Sequence, residues 1–327
     1  KRNKKRNEKR NEKRNEKDKA APVKKEKASA EKAMSHPLSA AHYSDRAIQA
    51  TVPILENVQI ARETYRLRFD CPEIAKRIVP GQFVMIRLAG FDDPLLGRPF
   101  ALYDTVLDAD GTPVGLDVVY LVLGKMTTRL QSLLPGAEIE VWGPLGNGFA
   151  FTAVDHLVMV AGGIGQTPFP AVAQEAVGRR SYGVPPRPIG RVGRVTLCYG
   201  ARSADYLADL DRFESIGVDV RVSTDDGTAG HLGLVTDLLV DIVAERKEKE
   251  QIRIVCCGPE PMMEAVAGIA DQRQIPCLVS LETPMACGIG ICFSCVTRVR
   301  DASGDWDYKR TCVDGPVFEA SQIKWSS

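Results

Sequence analysis

Long apolar runs are absent from this 327-residue sequence. Because no stretch of about 18 uncharged apolar residues occurs, the sequence predicts no membrane span. The N-terminal residues also lack the apolar core of a signal peptide. Apolar residues make up 44% of the chain and charged residues 26%, as is typical of soluble globular proteins. We therefore expect a cytoplasmic protein.

Histidine and net charge are also scarce. The chain has only four histidines, and their spacing matches neither a metal site nor a catalytic triad. The net charge of +1 is unevenly distributed, because residues 1–33 carry 15 of the 43 Lys and Arg and 6 of the 42 Asp and Glu. The remainder is therefore acidic, with a net charge of −8. An acidic body argues against a core that binds nucleic acid.

The basic N-terminal residues repeat the letters KRNE and contain almost no apolar side chains. Such a segment cannot bury enough surface to offset the entropy of ordering, so we predict a disordered tail over residues 1–45. A basic tail is able to bind nucleic acid or anionic lipid, but a solvated tail is the simpler interpretation. The first methionine is Met34, and we assign the residues before it no function.

Two patterns of hydrophobic residues divide the rest of the chain. Residues 46–150 contain short apolar strands bounded by Gly and Pro, such as GQFVMIRL and EIEVWGP, which predicts an antiparallel barrel or sandwich. In residues 151–275, strands alternate with helices, as in the unit that begins HLVMVAGGIGQTPF. This alternation predicts a Rossmann-like parallel sheet covered by helices.

Two loops follow strands of the predicted parallel sheet. Gly162, Gly163 and Gly165 form the first, where bare backbone and a helix N-terminus suit a pyrophosphate. The second loop begins at Cys257, Gly258 and Pro259. Loops at the carboxyl edge of one sheet enclose a ligand crevice. For Cys257 we expect core packing, and the alternative is that its thiol faces a nicotinamide.

Nine cysteines occur, and four of them are clustered. An odd number without a secretory signal does not indicate a disulfide framework. Cys287, Cys292 and Cys295 have the spacing C-x4-C-x2-C, and Cys312 follows, which is the plant-type 2Fe–2S pattern. Zinc is the alternative, although structural zinc sites usually pair two C-x2-C units. Two glycines between the first two cysteines allow the loop to wrap tightly.

The predicted barrel contains two candidate phosphate contacts. Arg98, in GRPFALYD, is able to bind phosphate with two parallel hydrogen bonds, and Pro99 stiffens its presentation. A surface arginine on a strand edge is the alternative. The turn GKMTTRL, from Gly124 to Leu130, predicts a capped helix start that suits phosphate.

The motifs occur in a familiar order: GRPFALYD, GKMTT, WGPLGNGF, AGGIGQTPF, CGPEPMM and MACGIGICFSC. Over residues 50 to 322 the sequence resembles the electron-transfer subunits of class B (NAD-dependent) dihydroorotate dehydrogenases, within the ferredoxin–NADP reductase-like superfamily. The resemblance implies a FAD-binding barrel over 46–150, an NAD-binding domain over 151–275 and a 2Fe–2S domain over 276–327. It also implies four cluster ligands: Cys287, Cys292, Cys295 and Cys312.

By the same resemblance, nine residues line the FAD: Arg98, Pro99, Phe100, Ala101, Val119, Tyr120, Leu121, Met126 and Thr127. Two of them depart from the family pattern. The family often has Ser at Ala101, so any bond to the flavin there must come from backbone or elsewhere. At the position of Met126 the family often has Gly. The tighter turn that Gly allows there is therefore in doubt for this chain.

The resemblance further implies a partner, an FMN-containing catalytic dihydroorotate dehydrogenase, in a heterotetramer with two copies of each chain. Electrons would pass from the partner's FMN through the cluster and FAD to NAD+, in pyrimidine (UMP) biosynthesis, and no side chain need act as acid, base or nucleophile. Another partner, such as a hydrogenase, transhydrogenase or glutamate synthase-like protein, is the alternative. Arg202 is a candidate contact for the 2′-phosphate of NADP, whereas Asp205 favours NAD.

Overall fold

The structure is a computed structural model that describes residues 46–325. The predicted disordered tail therefore lies outside the described residues. Within them the chain forms a closed six-stranded barrel, a seven-stranded sheet and a separate two-stranded sheet. This architecture confirms the predicted fold class. None of the helices in the described part of the chain is long and apolar enough to cross a membrane.

The barrel is antiparallel, with the strand order β1-β2-β5-β4-β3-β6. Its strands are β1 (Ile48–Ala61), β2 (Thr64–Asp70), β3 (Phe83–Leu88), β4 (Arg98–Leu107), β5 (Pro113–Leu121) and β6 (Glu138–Leu145). Alternate residues point inward, so that Leu67, Phe69, Leu102 and Val118 are fully buried in one core. Closure leaves the sheet without a free edge. Two short helices accompany it, α1 (Pro72–Ala75) and α2 (Lys125–Leu130).

The second sheet has the order β10-β9-β8-β7-β11-β12-β15, and all neighbouring strands except β12 and β15 run parallel. Its strands are β7 (Val154–Gly162), β8 (Val192–Ala201), β9 (Asp219–Thr224), β10 (His231–Leu232), β11 (Ile252–Cys257), β12 (Cys277–Ser280) and β15 (Val317–Glu319). Its helices are α3 (Phe169–Ala176), α4 (Leu210–Ile216), α5 (Val235–Ala244) and α6 (Glu260–Gln272). Apolar cores lie on both faces of this sheet, as the strand–helix alternation predicts.

A buried carboxylate joins the barrel to the parallel sheet. Asp104 of β4 is 3% exposed and accepts hydrogen bonds from Arg180 at 2.7 Å and Tyr182 at 2.9 Å. Arg212, on α4, also pairs with it. Arg180 immediately precedes, and Tyr182 belongs to, the Pro- and Gly-rich segment SYGVPPRPIGRVGR, whose composition predicts a surface loop. Tyr182 is instead buried, because its hydroxyl reaches this carboxylate.

The cysteine-rich segment is folded into the parallel sheet. Strand β12 precedes the cysteines and β15 follows them, and both belong to the seven-stranded sheet. Between them lies the two-stranded sheet of β13 (Val296–Arg300) and β14 (Trp306–Arg310). The sequence pattern indicates only one strand in the last fifty residues, CVTRVRD, which corresponds to β13. It therefore misses β12, β14 and β15. The domain boundary at residue 276 stays a prediction, and the segment beyond it supplies two strands to the neighbouring sheet.

Candidate functional site

A cleft of about 630 Å³ opens at the carboxyl ends of β7, β8 and β11, where the end of β5 meets the parallel sheet. Four of the predicted loop residues line it: Gly162, Gly163, Gly258 and Pro259. Leu121, predicted beside FAD, lines the same cleft from the barrel side. The cleft therefore brings residues from the two predicted nucleotide loops and from the barrel to one place.

The glycines of the first loop have different roles. A Cβ on Gly165 would lie 2.2 Å from the carbonyl oxygen of Cys257, and one on Gly162 would lie 2.6 Å from Met262. These two glycines therefore allow the two loops to pack closely. Gly163 has a φ of +54° and open space around its absent Cβ. Of these three glycines, only Gly163 has a bare backbone that faces free space, as a bound pyrophosphate requires.

Three other predicted residues at this edge are placed as follows. Cys257 is partly buried and does not line the cleft, and burial raises the pKa of its thiol to about 12. Arg202 lines the cleft together with Asp225. Asp205 is exposed and lies 4.0 Å from the guanidinium of Arg62. Arg202 is therefore the cation of the cleft lining, and its carboxylates come from Glu63, Asp225 and Glu282, all three of which the sequence reasoning missed.

Several residues predicted to line FAD point into the barrel. Phe100, Tyr120 and Met126 belong to the apolar core, where the rings of Phe100 and Tyr120 meet edge to face at 6.0 Å. The Tyr120 hydroxyl donates to Asn57 at 2.9 Å. Contact between these residues and FAD stays a prediction. Val119 is also buried, with 3% exposure.

Other predicted FAD residues are accessible. Arg98 is exposed, and its guanidinium donates to the carbonyls of Leu96 and Gly97, each at 3.0 Å. Within residues 46–325 it makes no ion pair, which leaves its charge available to a phosphate. Thr127 caps α2, since its hydroxyl oxygen accepts the amides of Leu123 and Gly124 at 3.0 and 3.2 Å. Pro99 and Ala101 are half-buried. Contact between these residues and FAD stays a prediction.

The four clustered cysteines lie as two pairs. The sulfurs of Cys295 and Cys312 are 3.2 Å apart, and both residues are almost completely buried. Cys292 is exposed, and its sulfur lies 3.2 Å from the hydroxyl of Ser294. Hydrogen bonding by Ser294, and then by Cys287, lowers the pKa of the Cys292 thiol to about 6. Hydrogen bonding between Cys295 and Cys312 lowers the pKa of Cys295 to about 6 and raises that of Cys312.

The loop that carries these cysteines rests on the outside of the barrel. A Cβ on Gly288, where φ is +74°, would lie 2.6 Å from Met85 of β3. The indole N–H of Trp142 on β6 donates to the carbonyl of Cys287 at 2.9 Å. Gly290, with a φ of +84°, is held by Arg310, which donates to its carbonyl at 3.0 Å. Only glycine adopts this backbone at so close an approach.

The pairing of the thiols fits a binuclear cluster. In residues 46–325, no three His, Cys, Asp or Glu side chains converge as ligands of a single metal ion. Two pairs of thiols instead match two metal centres, and thiolates are the ligands that a 2Fe–2S cluster requires. The lowered pKa values of Cys292 and Cys295 favour the thiolate form of these two residues, which is the form that ligates metal.

Contacts across the barrel place this loop beside the predicted flavin strand. Met85 and Phe83, which pack in one cluster with Cys295 and Cys312, are the direct cross-strand partners of Pro99 and Ala101 on β4. Paired residues on neighbouring strands point to the same face, about 5 Å apart. The sequence reasoning missed Phe83, Met85 and Trp142, because no motif shows which barrel strands receive the loop.

A closed barrel, a nucleotide cleft and a thiol-rich loop on one compact body define an oxidoreductase that moves electrons between a nicotinamide and an iron–sulfur cluster through a flavin. Family models match each part. Residues 51–149 match an oxidoreductase FAD-binding domain, and residues 159–268 match an oxidoreductase NAD-binding domain. Residues 282–324 match the iron–sulfur cluster binding domain of dihydroorotate dehydrogenase B.

Two curated relatives show which family of oxidoreductases this chain belongs to. The electron transfer subunit of dihydroorotate dehydrogenase B (NAD(+)) from Desulforamulus reducens is 34% identical over 83% of this chain and 97% of its own length. The corresponding subunit from Caldanaerobacter subterraneus is 33% identical over 83% and 96%. This chain belongs to the family of dihydroorotate dehydrogenase B electron transfer subunits.

A solved structure is also similar. A chain of an NADH-dependent reduced ferredoxin–NADP oxidoreductase, studied for flavin-based electron bifurcation, superposes with a TM-score of 0.69. It is 30% identical, and the match covers 84% of this chain and 90% of that one. A similar fold therefore occurs in a protein with a different function.

Proposed function

We propose that this chain carries electrons from a partner dihydroorotate dehydrogenase to NAD+, as a step of pyrimidine biosynthesis. Membership of the family supports the activity. The structural observation that carries the proposal is the cross-strand pairing of Met85 with Pro99 and of Phe83 with Ala101. These pairs put the thiol-bearing loop and the predicted flavin strand on the same outer face of one barrel.

When bound, the flavin exchanges two electrons with a nicotinamide and single electrons with an iron–sulfur cluster. The side chains position these groups. Cys287, Cys292, Cys295 and Cys312 would hold the cluster, and Arg98 would bind a phosphate of FAD. Gly163 gives a pyrophosphate access to bare backbone, and Leu121 closes the cleft from the barrel side. No side chain need transfer a proton to substrate.

The partner would be the FMN-containing catalytic dihydroorotate dehydrogenase, with two copies of each chain in the complex. Cys292 is the most exposed of the four cysteines, so we expect the partner to approach from this side of the loop. Because the proposed reaction transfers electrons from a biosynthetic intermediate to NAD+, we expect the complex to lie in the cytoplasm.

Co-expression with a candidate FMN dihydroorotate dehydrogenase tests the proposal. The purified complex is expected to form orotate and to reduce NAD+ in equal amounts when given dihydroorotate. The partner alone, supplied with an artificial electron acceptor, should form orotate without reducing NAD+, which serves as the control. A complex that assembles with both flavins but reduces no NAD+ would contradict the proposal.

A related reductase that serves another partner is the second candidate, because the ferredoxin–NADP oxidoreductase chain matches 84% of this one at 30% identity. The cofactors would be the same and the electron donor different. In that case the chain would reduce a dye at the expense of NADH but would not co-purify with the dihydroorotate dehydrogenase. Affinity purification from cells that express both chains distinguishes the two candidates.

A further inference from the structure

The indole of Trp142 spans the gap between the cysteine loop and the start of the predicted flavin strand. Its Nε1–H donates to the carbonyl of Cys287 at 2.9 Å. The other end of the ring lies over Gly97, where a Cβ would come within 2.5 Å of Cη2 and 3.2 Å of Cζ2. Gly97 is buried and directly precedes Arg98, which we expect to bind a phosphate of FAD. One side chain therefore contacts the backbone of a predicted cluster ligand and the backbone beside a predicted flavin ligand.

Strand pairing places Trp142 in a row of residues that crosses the outer face of the barrel. Trp142 of β6 is opposite Met85 of β3, and Met85 is opposite Pro99 of β4. Directly opposite residues on neighbouring strands share a face of the sheet. Met85 also packs in one apolar cluster with Cys295 and Cys312, and the indole packs against the same cluster. The row therefore leads from the cysteine loop to the strand that we expect to contact FAD.

The absence of a side chain at Gly97 allows the ring to lie this close to the backbone. A Cβ there would overlap the six-membered ring of Trp142 and would also lie 3.1 Å from the carbonyl oxygen of Ile86. The φ of Gly97 is not positive, so its backbone conformation is open to other residues. The close approach of the indole therefore accounts for the glycine.

We propose that Trp142 is a positioning residue for electron transfer between the flavin and the cluster. The ring fixes the distance between the cysteine loop and the flavin strand, and electron-transfer rates fall steeply with distance. The indole N–H also offsets the partial negative charge on the carbonyl of Cys287, a predicted cluster ligand. Because reduction adds negative charge to the cluster, this hydrogen bond raises the reduction potential of the cluster.

The inference deepens the proposed function, because it rests on transfer between the flavin and the cluster within this chain. In that step the reduced flavin loses one electron and one ferric ion of the cluster becomes ferrous, so no bond forms or breaks. NADH supplies the electrons, and the test uses the full chain with both cofactors bound, without the partner and without oxygen. A parent chain whose cluster NADH fails to reduce would contradict the proposed function. An effect that is missing only from the variants would contradict this inference alone.

Trp142→Phe keeps an aromatic ring and removes the hydrogen-bond donor. The midpoint potential of its cluster, measured by a redox titration followed by electron paramagnetic resonance, is expected to become more negative. The strength of one hydrogen bond limits the shift to about a tenfold change in the electron-transfer equilibrium, or about 59 mV for a one-electron couple. Trp306→Phe is the matched control, because it makes the same change on β14, outside the barrel and the cysteine loop. That variant should keep the potential of the parent.

Gly97→Ala tests the spacing without removing the donor. Its Cβ should displace the indole, so we expect the cluster to be reduced by the flavin several-fold more slowly in stopped-flow absorption measurements. Adding Trp142→Phe should recover part of that rate, because the shorter phenylalanine relieves the overlap. Gly268→Ala, on α6, is the control, since its φ is not positive and no atom lies within 4 Å of its Cβ.

Three results would overturn the inference. One is a cluster potential of Trp142→Phe equal to that of Trp306→Phe. A second is loss of the cluster from Trp142→Phe with FAD still bound, which would make the indole necessary for building the cluster site and not for positioning it. The third is a transfer rate of Gly97→Ala equal to that of Gly268→Ala, and this result decides the question even if Trp142→Phe does not fold.

Discussion

Cysteines in the parallel sheet and cysteines in the cluster loop have opposite chemistry. Burial raises the pKa of Cys198 and Cys277 to about 12. In the loop, hydrogen bonding lowers the pKa of Cys292 and Cys295 to about 6. The sheet therefore keeps its thiols protonated and inert, whereas Cys292 and Cys295 favour the thiolate that binds metal. The pKa of Cys312 is raised, because its thiol is hydrogen-bonded to Cys295.

The contrast has a structural cause. Sheet cysteines point into apolar cores, where the charged form loses hydration. Loop cysteines face hydrogen-bond donors instead, such as the hydroxyl of Ser294 beside Cys292. Within one chain, the environment of a cysteine thus matters more than its proximity to other cysteines. Cys256 and Cys257 are adjacent in sequence, yet burial raises the pKa of both.

The largest effect is expected when one cysteine from each region is replaced and the two variants are compared. Cys292→Ser should remove most of the iron and essentially all of the electron transfer to NAD+, because an exposed ligand is lost without disturbing a core. Cys277→Ser should keep the iron and reduce stability by about 1–3 kcal/mol, the cost of burying a hydroxyl. Iron analysis and urea unfolding measure the two outcomes. Equal iron content in both variants would contradict the claim that only the loop cysteine is a metal ligand.

A smaller effect is expected from a change in the backbone geometry of the cysteine loop. Gly288→Ala should lower cluster occupancy several-fold, because its φ is +74° and its Cβ would lie 2.6 Å from Met85. Gly304→Ala is the matched control, with a φ of +87° but no atom within 4 Å of its Cβ. That variant should cost only about 1 kcal/mol of backbone strain and keep its visible spectrum. If both variants lost the cluster equally, close approach to the barrel would not be the cause.

The last prediction, which concerns stability and not the cofactors, extends the comparison from cysteine to histidine. His156 on β7 is 1% exposed, and burial lowers its pKa to about 4. The unfolded chain, with a histidine pKa near 6.5, binds more protons between these values. Stability is therefore expected to fall as the pH drops from about 6.5 to about 4, by up to about 3 kcal/mol from this residue.

His156→Gln tests this pH dependence. The variant should lose stability at neutral pH, where the hydrogen bond between His156 and Thr196 at 2.8 Å is disturbed. Its stability should nevertheless fall less steeply than the parent's below pH 6.5. Unfolding midpoints followed by circular dichroism across this range give the two slopes. Parallel slopes would show that the sheet does not hold His156 neutral.

Sequence patterns predicted the local parts of this protein well. Cysteine spacing identified a loop whose thiols the structure pairs, and the strand–helix alternation predicted the sheet. Side-chain direction in the barrel was harder, because apolar residues occupy both faces of β5 and hide which of Val119 and Tyr120 points inward. Contacts between distant segments, such as Asp104 with Arg180 and Arg212, left no local signal. They arise only when the barrel meets the parallel sheet.

The way in which the cysteine-rich segment is threaded through the fold limits how it can be rearranged. The segment after residue 276 includes β12 and β15 of the seven-stranded sheet, so excising it would remove both strands and leave β11 as a bare edge. A cluster-binding segment of this kind cannot be exchanged between proteins on its own. Grafting it onto another reductase would require transplanting β12 and β15 together with the cysteines.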